Sequence, residues 1–363
     1  MKIVGETHTV RKLAGVITGS LLTLTSLAMV VGTTDTAASA ATSTFKVCMG
    51  TAGTPGTPWQ TGQGTVLQDI AHQEGWASVV LSNQHSPSTS LSNAEIFVLD
   101  KCNAVIEGPS PESTDPVIAA KLAAAKIPVI TFDIAQKGWY FVGINNSLAG
   151  IQGGEALGAI IKSKWDCNLD EVIASGLPVV GVIDTERTGG MIKGIQKVCP
   201  NIPNSKTTEF DGDGEVSASA TAGRALLAAH PSWVKIAVVG INDDGVVGVL
   251  EAAEQLGRAK DMIGWGQSGD LDTGSNVDPH LLGSVFYFLE GYAEYAVPLL
   301  KEIAAGHAPA VADYTHNNPA VLIAPCSAST AQAKNIPGYS ARLAKLATVS
   351  AGTTPDALFC PKM

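Results

Sequence analysis

Short apolar runs recur along the chain, each closed by polar or glycine residues and separated by stretches with helical spacing. Strands are expected at Phe45 to Met49, Ala77 to Leu81, Ala104 to Ile106, Ile127 to Phe132 and Tyr140 to Ile144. Between them come a long Gly/Pro/Thr loop, TAGTPGTPWQTGQG, a helical pattern through Val66, Ile70 and Ala71, and a helix over Val117 to Lys126. After a helix from Ser147 to Ser163 the alternation restarts. Strands are expected at Val179 to Ile183, Lys206 to Phe210, Ile236 to Val239 and Met262 to Trp265, with helices between them. Strands alternating with helices mean βαβ units and parallel sheets, and the restart means two similar α/β lobes.

The stretch Ile127 to Gly150, IPVITFDIAQKGWYFVGINNSLAG, organises this pattern. One strand stops at Asp133, and the next stops at Asn145, Asn146 and Ser147, all good N-caps for the following helix. Two strands ending in polar side chains before a helix describe the carboxyl rim of an open α/β sheet, where such sheets bind ligands.

The length of 363 residues is material for about two domains. A hydrophobic fraction of 45% is ordinary for a globular α/β protein. A net charge of −10 argues against a nucleic-acid partner, which requires a basic face.

Arg11 and Lys12 precede an apolar run from Leu13 to Val31, and Ala38-Ser39-Ala40 forms a small-residue cleavage site before Ala41. This reads as a cleaved signal peptide over residues 1–40, with a permanent signal anchor as the alternative. No cysteine lies near the site, which argues against a lipoprotein anchor. The expected location is therefore periplasmic or secreted. In an oxidising compartment the six cysteines suggest disulfides, and their spacing fits no metal site. The favoured pairs are Cys48–Cys102, Cys167–Cys199 and Cys326–Cys360, because each then stays within one lobe or the tail.

At this point a resemblance becomes specific. The strand end ITFD, then VGINNSLAG, HPSWVKIAVVGINDDGVVG, MIGWGQSGD and LLGSVFYFLEGYAEYAVPLL follow one another in the order and spacing of a known family. The chain resembles the type I periplasmic solute-binding proteins of bacterial ABC importers, the ribose- and galactose-binding branch, from about Phe45 to about Ala324. The resemblance implies two Rossmann-like α/β lobes with parallel sheets, joined by a hinge that the chain crosses three times. It implies a first lobe of residues 41–145 plus 287–316 and a second of 146–286 plus 317–325, with residues 326–363 a tail outside the match. The ligand would lie between the lobes, which close on it.

Carried over by position, the resemblance puts the pocket carboxylate at Asp133 and the pocket asparagines at Asn146 and Asn242. Asp133 could instead cap its loop, and Asn146 could be purely structural. Trp59 falls where relatives stack a ring on a sugar, or it anchors its loop. Trp139 could line the cleft or cover a strand edge. Phe210 falls at an aromatic position of the family, and Tyr287 at a polar one in the second crossover. Three positions depart from the pattern: Ile134 and Met191 stand where relatives carry arginines, and Gly266 where they carry an aspartate. Arg187, Gln267 and Asp270 are the substitutes on hand. Losing charged hydrogen bonds of this kind points to a less hydroxylated, larger or partly apolar ligand.

Other chemistry is weaker. The stretch GQSGD has Asp270 where a nucleophile elbow needs glycine, so Ser268 is not in that motif. DGDGE alternates acids like a calcium loop but has Ala222 at the twelfth position. A repressor of the same fold would need an N-terminal helix-turn-helix, where an export signal stands. The expectation is therefore a monomeric binding protein, without catalysis, metal or cofactor, that delivers a sugar or sugar-like polyol to the membrane permease of an ABC importer. The alternatives are a partly apolar or aromatic ligand, or a role as sensor for a chemoreceptor or sensor kinase.

Overall fold

The computed structural model describes residues 44–53, 58–108, 110–268, 278–286, 292–311, 315–317 and 321–323. The expected signal peptide, Asp270, Tyr287, the pair Cys326–Cys360 and the tail lie outside the described residues.

The first half opens with β1 (Lys46–Thr51), α1 (Pro58–Glu74), β2 (Ala77–Ser82), α2 (Pro87–Leu99) and β3 (Ala104–Glu107). It continues with α3 (Asp115–Ala124), β4 (Val129–Phe132) and β5 (Tyr140–Gly143). Helix α1 starts within the stretch expected to be a loop, because Pro58 fits the first helical turn, where its missing N–H costs nothing. Ser86 caps α2 by accepting from the Thr89 N–H.

The second half runs α4 (Asn146–Trp165), β6 (Glu171–Gly176), α5 (Val182–Val198), β7 (Thr207–Asp211), α6 (Val216–Ala229), β8 (Ile236–Gly240), α7 (Asp243–Gln255) and β9 (Met262–Ser268). It ends with β10 (Leu281–Phe286), α8 (Tyr292–Ala304), β11 (Thr315–Asn317) and β12 (Val321–Ile323). One expected strand is corrected here. Val179 to Ile183 is not a strand: β6 lies earlier, and Pro178–Val180 forms a 3-10 turn that leads through Gly181 into α5. Pro178 removes a ladder donor, and Gly181 adopts a φ of 57°, which breaks extended backbone. Val180 and Ile183 of that stretch are buried for another purpose, whereas Val182 is exposed.

The described strands form two six-stranded sheets, ordered β11-β5-β4-β3-β1-β2 and β12-β10-β9-β8-β6-β7. The pairings of the first sheet are all parallel. In the second, only β10–β12 is antiparallel. The chain therefore passes from the first sheet to the second after β5, returns after β10, and crosses again between β11 and β12. The result is the two-lobed α/β architecture with a three-crossover hinge. The central strands are buried on both faces, as parallel strands under helices must be, so they read as continuous apolar runs.

Helices α4 and α5 pack at backbone distance. A Cβ at Gly154 would overlap the Met191 carbonyl, and one at Gly194 would overlap the Ile151 carbonyl. Glycine is required there because the helices touch main chain to main chain. Cys48–Cys102 ties β1 to the end of α2, and Cys167–Cys199 ties the segment after α4 to the end of α5. Both match the expected pairs.

Candidate functional site: the facing rims of the two sheets

The site begins with the turn after β4. Asp133 has φ 63°, the left-handed region that few side chains occupy. Its N–H donates to the Val142 carbonyl at 3.2 Å, and the Ile134 N–H donates back to Phe132 at 2.8 Å. The tight turn aims the Asp133 carboxylate at the crossover. There Oδ1 accepts from the Ile144 N–H at 3.0 Å and from the Tyr292 hydroxyl at 3.1 Å. Oδ2 accepts from Arg187 Nη2 at 2.7 Å.

Arg187 comes from α5, on the other lobe. Its Nε donates to Asn146 Oδ1 at 2.8 Å, and Asn146 Nδ2 donates to the Asp133 carbonyl at 3.0 Å. Asn146 is free to do this because Asn145, not Asn146, caps α4 by accepting from the Leu148 N–H at 2.9 Å. The ring of four side chains is almost wholly out of water: Asp133 is 4%, Asn146 4%, Arg187 5% and Tyr292 0% exposed. Burial pushes the Asp133 carboxyl above its ordinary range, while Arg187, the Ile144 N–H and the Tyr292 hydroxyl pull it down. Tyr292 also packs edge-on against Phe132, with ring centroids 5.3 Å apart.

The other candidates fall in several places. Asn242 caps α7, accepting from the Gly245 N–H at 2.9 Å and donating to the Gly214 carbonyl at 2.7 Å, so it fixes two loops at the rim of the second sheet. Gln267 ends β9, fully buried. Its Nε2 reaches the Gly240 carbonyl at 3.4 Å, and its Oε1 has no hydrogen-bond partner among the described residues. Met191 is fully buried in the main core at the α4–α5 seam, so Arg187, not Met191, is the α5 residue that reaches the ring. Trp139 is buried in the cluster of Cys48, Phe97, Cys102 and Ile118 inside the first lobe. Phe210 is half-buried against the core of the second lobe. Trp59 is the second residue of α1. A side chain at Gly266 would overlap the carboxylate of Asp243, so the α7 acid fills the space the departure at 266 leaves.

Sequence reading missed three groups. Tyr292 was visible only as an aromatic in a helical pattern, with no signal that its hydroxyl reaches back to residue 133. Glu107, at the carboxyl end of β3, is 2% exposed and accepts from Asn83 Nδ2 at 2.7 Å; burial pushes it up to about 8. Asn83 is held in turn by Asn93 at 2.9 Å. The third group is apolar: Ile134, Leu177, Val180, Ile183 and Ile241 form one buried cluster. Ile134 follows β4, whereas Leu177 and Ile241 follow β6 and β8, so the carboxyl rims of the two sheets face each other.

This geometry defines a class: a two-lobed α/β binding protein whose strand ends meet across a hinge. Residues 51–308 match the family described as periplasmic binding protein domain, and the chain belongs to that family. The ribose import binding protein of Salmonella typhimurium is 28% identical over 203 residues, which cover 54% of this chain and 65% of the relative. Among solved structures, a galactofuranose binding protein superposes with a TM-score of 0.67 at 19% identity, covering 84% of this chain and 99% of that one. A Mycobacterium smegmatis protein in complex with β-D-fucofuranose gives 0.67 at 18%, covering 83% and 97%. The Caulobacter myo-inositol binding protein gives 0.64 at 19%, covering 77% and 93%.

Proposed function

We propose that this protein is the extracytoplasmic binding component of an ABC importer. It captures a neutral sugar or sugar-like polyol between its lobes and presents it, as a monomer, to the membrane permease. The observation that carries the reading is the meeting of the two carboxyl rims in a chain that belongs to this family. The relatives support the ligand class, since their names cover ribose, galactofuranose, fucofuranose and myo-inositol. We propose lobes of residues 41–145 plus 287–316 and 146–286 plus 317–325, with a cleaved signal peptide before them.

Binding works by differential affinity: contacts drawn from both lobes exist only in the closed form, so ligand shifts the population toward it. Asp133 and Arg187 neutralise one another, which favours an uncharged ligand over a sugar acid. Gln267 supplies a buried acceptor for a hydroxyl, and Asn242 holds the loops around it. The uncharged Ile134 and Gly266, at positions where the family carries charged groups, favour a second reading, a ligand with one unhydroxylated face.

A thermal-shift screen of pentofuranoses, hexoses, inositols and small aromatic acids tests both. A ligand at a hundredfold excess over Kd raises stability by about 2.7 kcal/mol. A shift with a sugar or inositol that Gln267→Ala abolishes supports the first reading. A shift with aromatic acids alone replaces it with the second.

A further inference from the structure

We infer that the segment Leu177–Ile183 is a strap that latches the two lobes together through the chain's own contacts, independently of any ligand. Four observations converge on it. Leu177, Val180 and Ile183 bury against Ile134 of the opposite lobe and against Ile241, and each of the five is at most 6% exposed. The Glu112 N–H, in the loop after β3, donates across the lobes to the Val179 carbonyl at 3.1 Å. The Glu112 side chain then lies over Gly181, where any Cβ would overlap its carboxylate and where φ is 57°. The positive φ favours glycine at the point where the strap touches the other lobe. Beside the strap, His85 and Asp213 form a further interlobe pair at 3.3 Å, although Asp213 is largely exposed and the pair adds little.

The arrangement explains why an apolar run that reads as a strand is not one. Leu177, Val180 and Ile183 pack with Ile134 of the other lobe, and Pro178 and Gly181 make the turn that places them there. Apolar burial carries no requirement for a bridging molecule, and the backbone bond to Glu112 has two partners from this chain alone. The strap therefore biases the hinge toward closure before any ligand adds its contacts.

Residue-resolved amide exchange on exhaustively dialysed protein, with no sugar added, tests this. The Glu112 amide reports the latch and the Ile106 amide, inside the first sheet, reports the fold. The expected result is a Glu112 amide protected in the wild type. Val180→Ala should speed its exchange by about tenfold while Ile106 is unmoved. Should Val180→Ala loosen Ile106 as well, the milder Ile134→Val decides by the same criterion. A wild-type Glu112 amide exchanging like a free loop, or protection that neither variant changes, overturns the latch. Because no ligand enters the measurement, its failure is distinct from failure of the sugar reading.

Discussion

Arg187 Nη2 stands 2.7 Å from Asp133 Oδ2, and the two residues belong to different lobes. A buried ion pair gains little over well-packed apolar groups, but removing one partner leaves the other charge uncompensated. Arg187→Met should therefore cost about 3–5 kcal/mol in a urea titration. Adding Asp133→Asn to it should cost less than the two single losses summed, because the stranded charge is gone. Strict additivity would mean that the pair is not coupled.

The hydroxyl of Tyr292 reaches the same carboxylate across a sequence separation of 159 residues. Tyr292→Phe keeps the ring contact with Phe132 and removes the hydroxyl. A loss of roughly 1.5–3 kcal/mol is expected for a bond to a charged acceptor. A neutral Tyr292→Phe would show that Ile144 and Arg187 alone satisfy Asp133.

Glu107 predicts a pH dependence with a definite sign. Burial is the main cause of its rise from an ordinary 4.5 to about 8, with the Asn83 bond opposing and Asp115 adding. Its folded-state value lies above the unfolded one, so its contribution is fully present below about 4.5. That contribution is lost as pH rises through about 8. Denaturation midpoints at pH 5, 7 and 9 should fall across that window, and Glu107→Gln, which carries no proton to lose, should flatten the fall. An equal slope in both proteins would sink the assignment.

The α4–α5 seam predicts the cost of a single methyl. Gly154→Ala places a Cβ against the Met191 carbonyl, which is backbone and cannot swing aside. About 1–3 kcal/mol of overpacking is expected, against a gain in helix propensity of about 1 kcal/mol. Gly257→Ala, with nothing within 4 Å, should cost only the strain of its positive φ of 67°. Thermal midpoints of the two variants make the comparison.

The Cys48–Cys102 bond closes a separation of 54 residues and Cys167–Cys199 one of 32. In the chain-entropy account each contributes about 4 kcal/mol, the longer loop slightly more. Each Cys→Ser pair should lower the urea midpoint of the oxidised protein, Cys48→Ser/Cys102→Ser by the larger amount. Identical midpoints in the reduced and oxidised protein would overturn this.

The sequence alone determined the parallel α/β architecture and the polar strand end at Asp133; it favoured the pairs Cys48–Cys102 and Cys167–Cys199, which the tertiary structure decided. The architecture and the strand end depend on local pattern: apolar runs a strand long and caps such as Asn145. What the sequence left open was partnership. Whether Asp133 faces outward or is held by three donors depends on Arg187 and Tyr292, which lie 54 and 159 residues away. The strap was misread for the same reason. Val179 to Ile183 has the composition of a strand, but a parallel strand needs neighbours to bond, and Pro178 and Gly181 deny them. The burial of Val180 and Ile183 comes instead from Ile134 on the opposite lobe and from Ile241, and the contact with Ile134 exists only once the two sheets face each other.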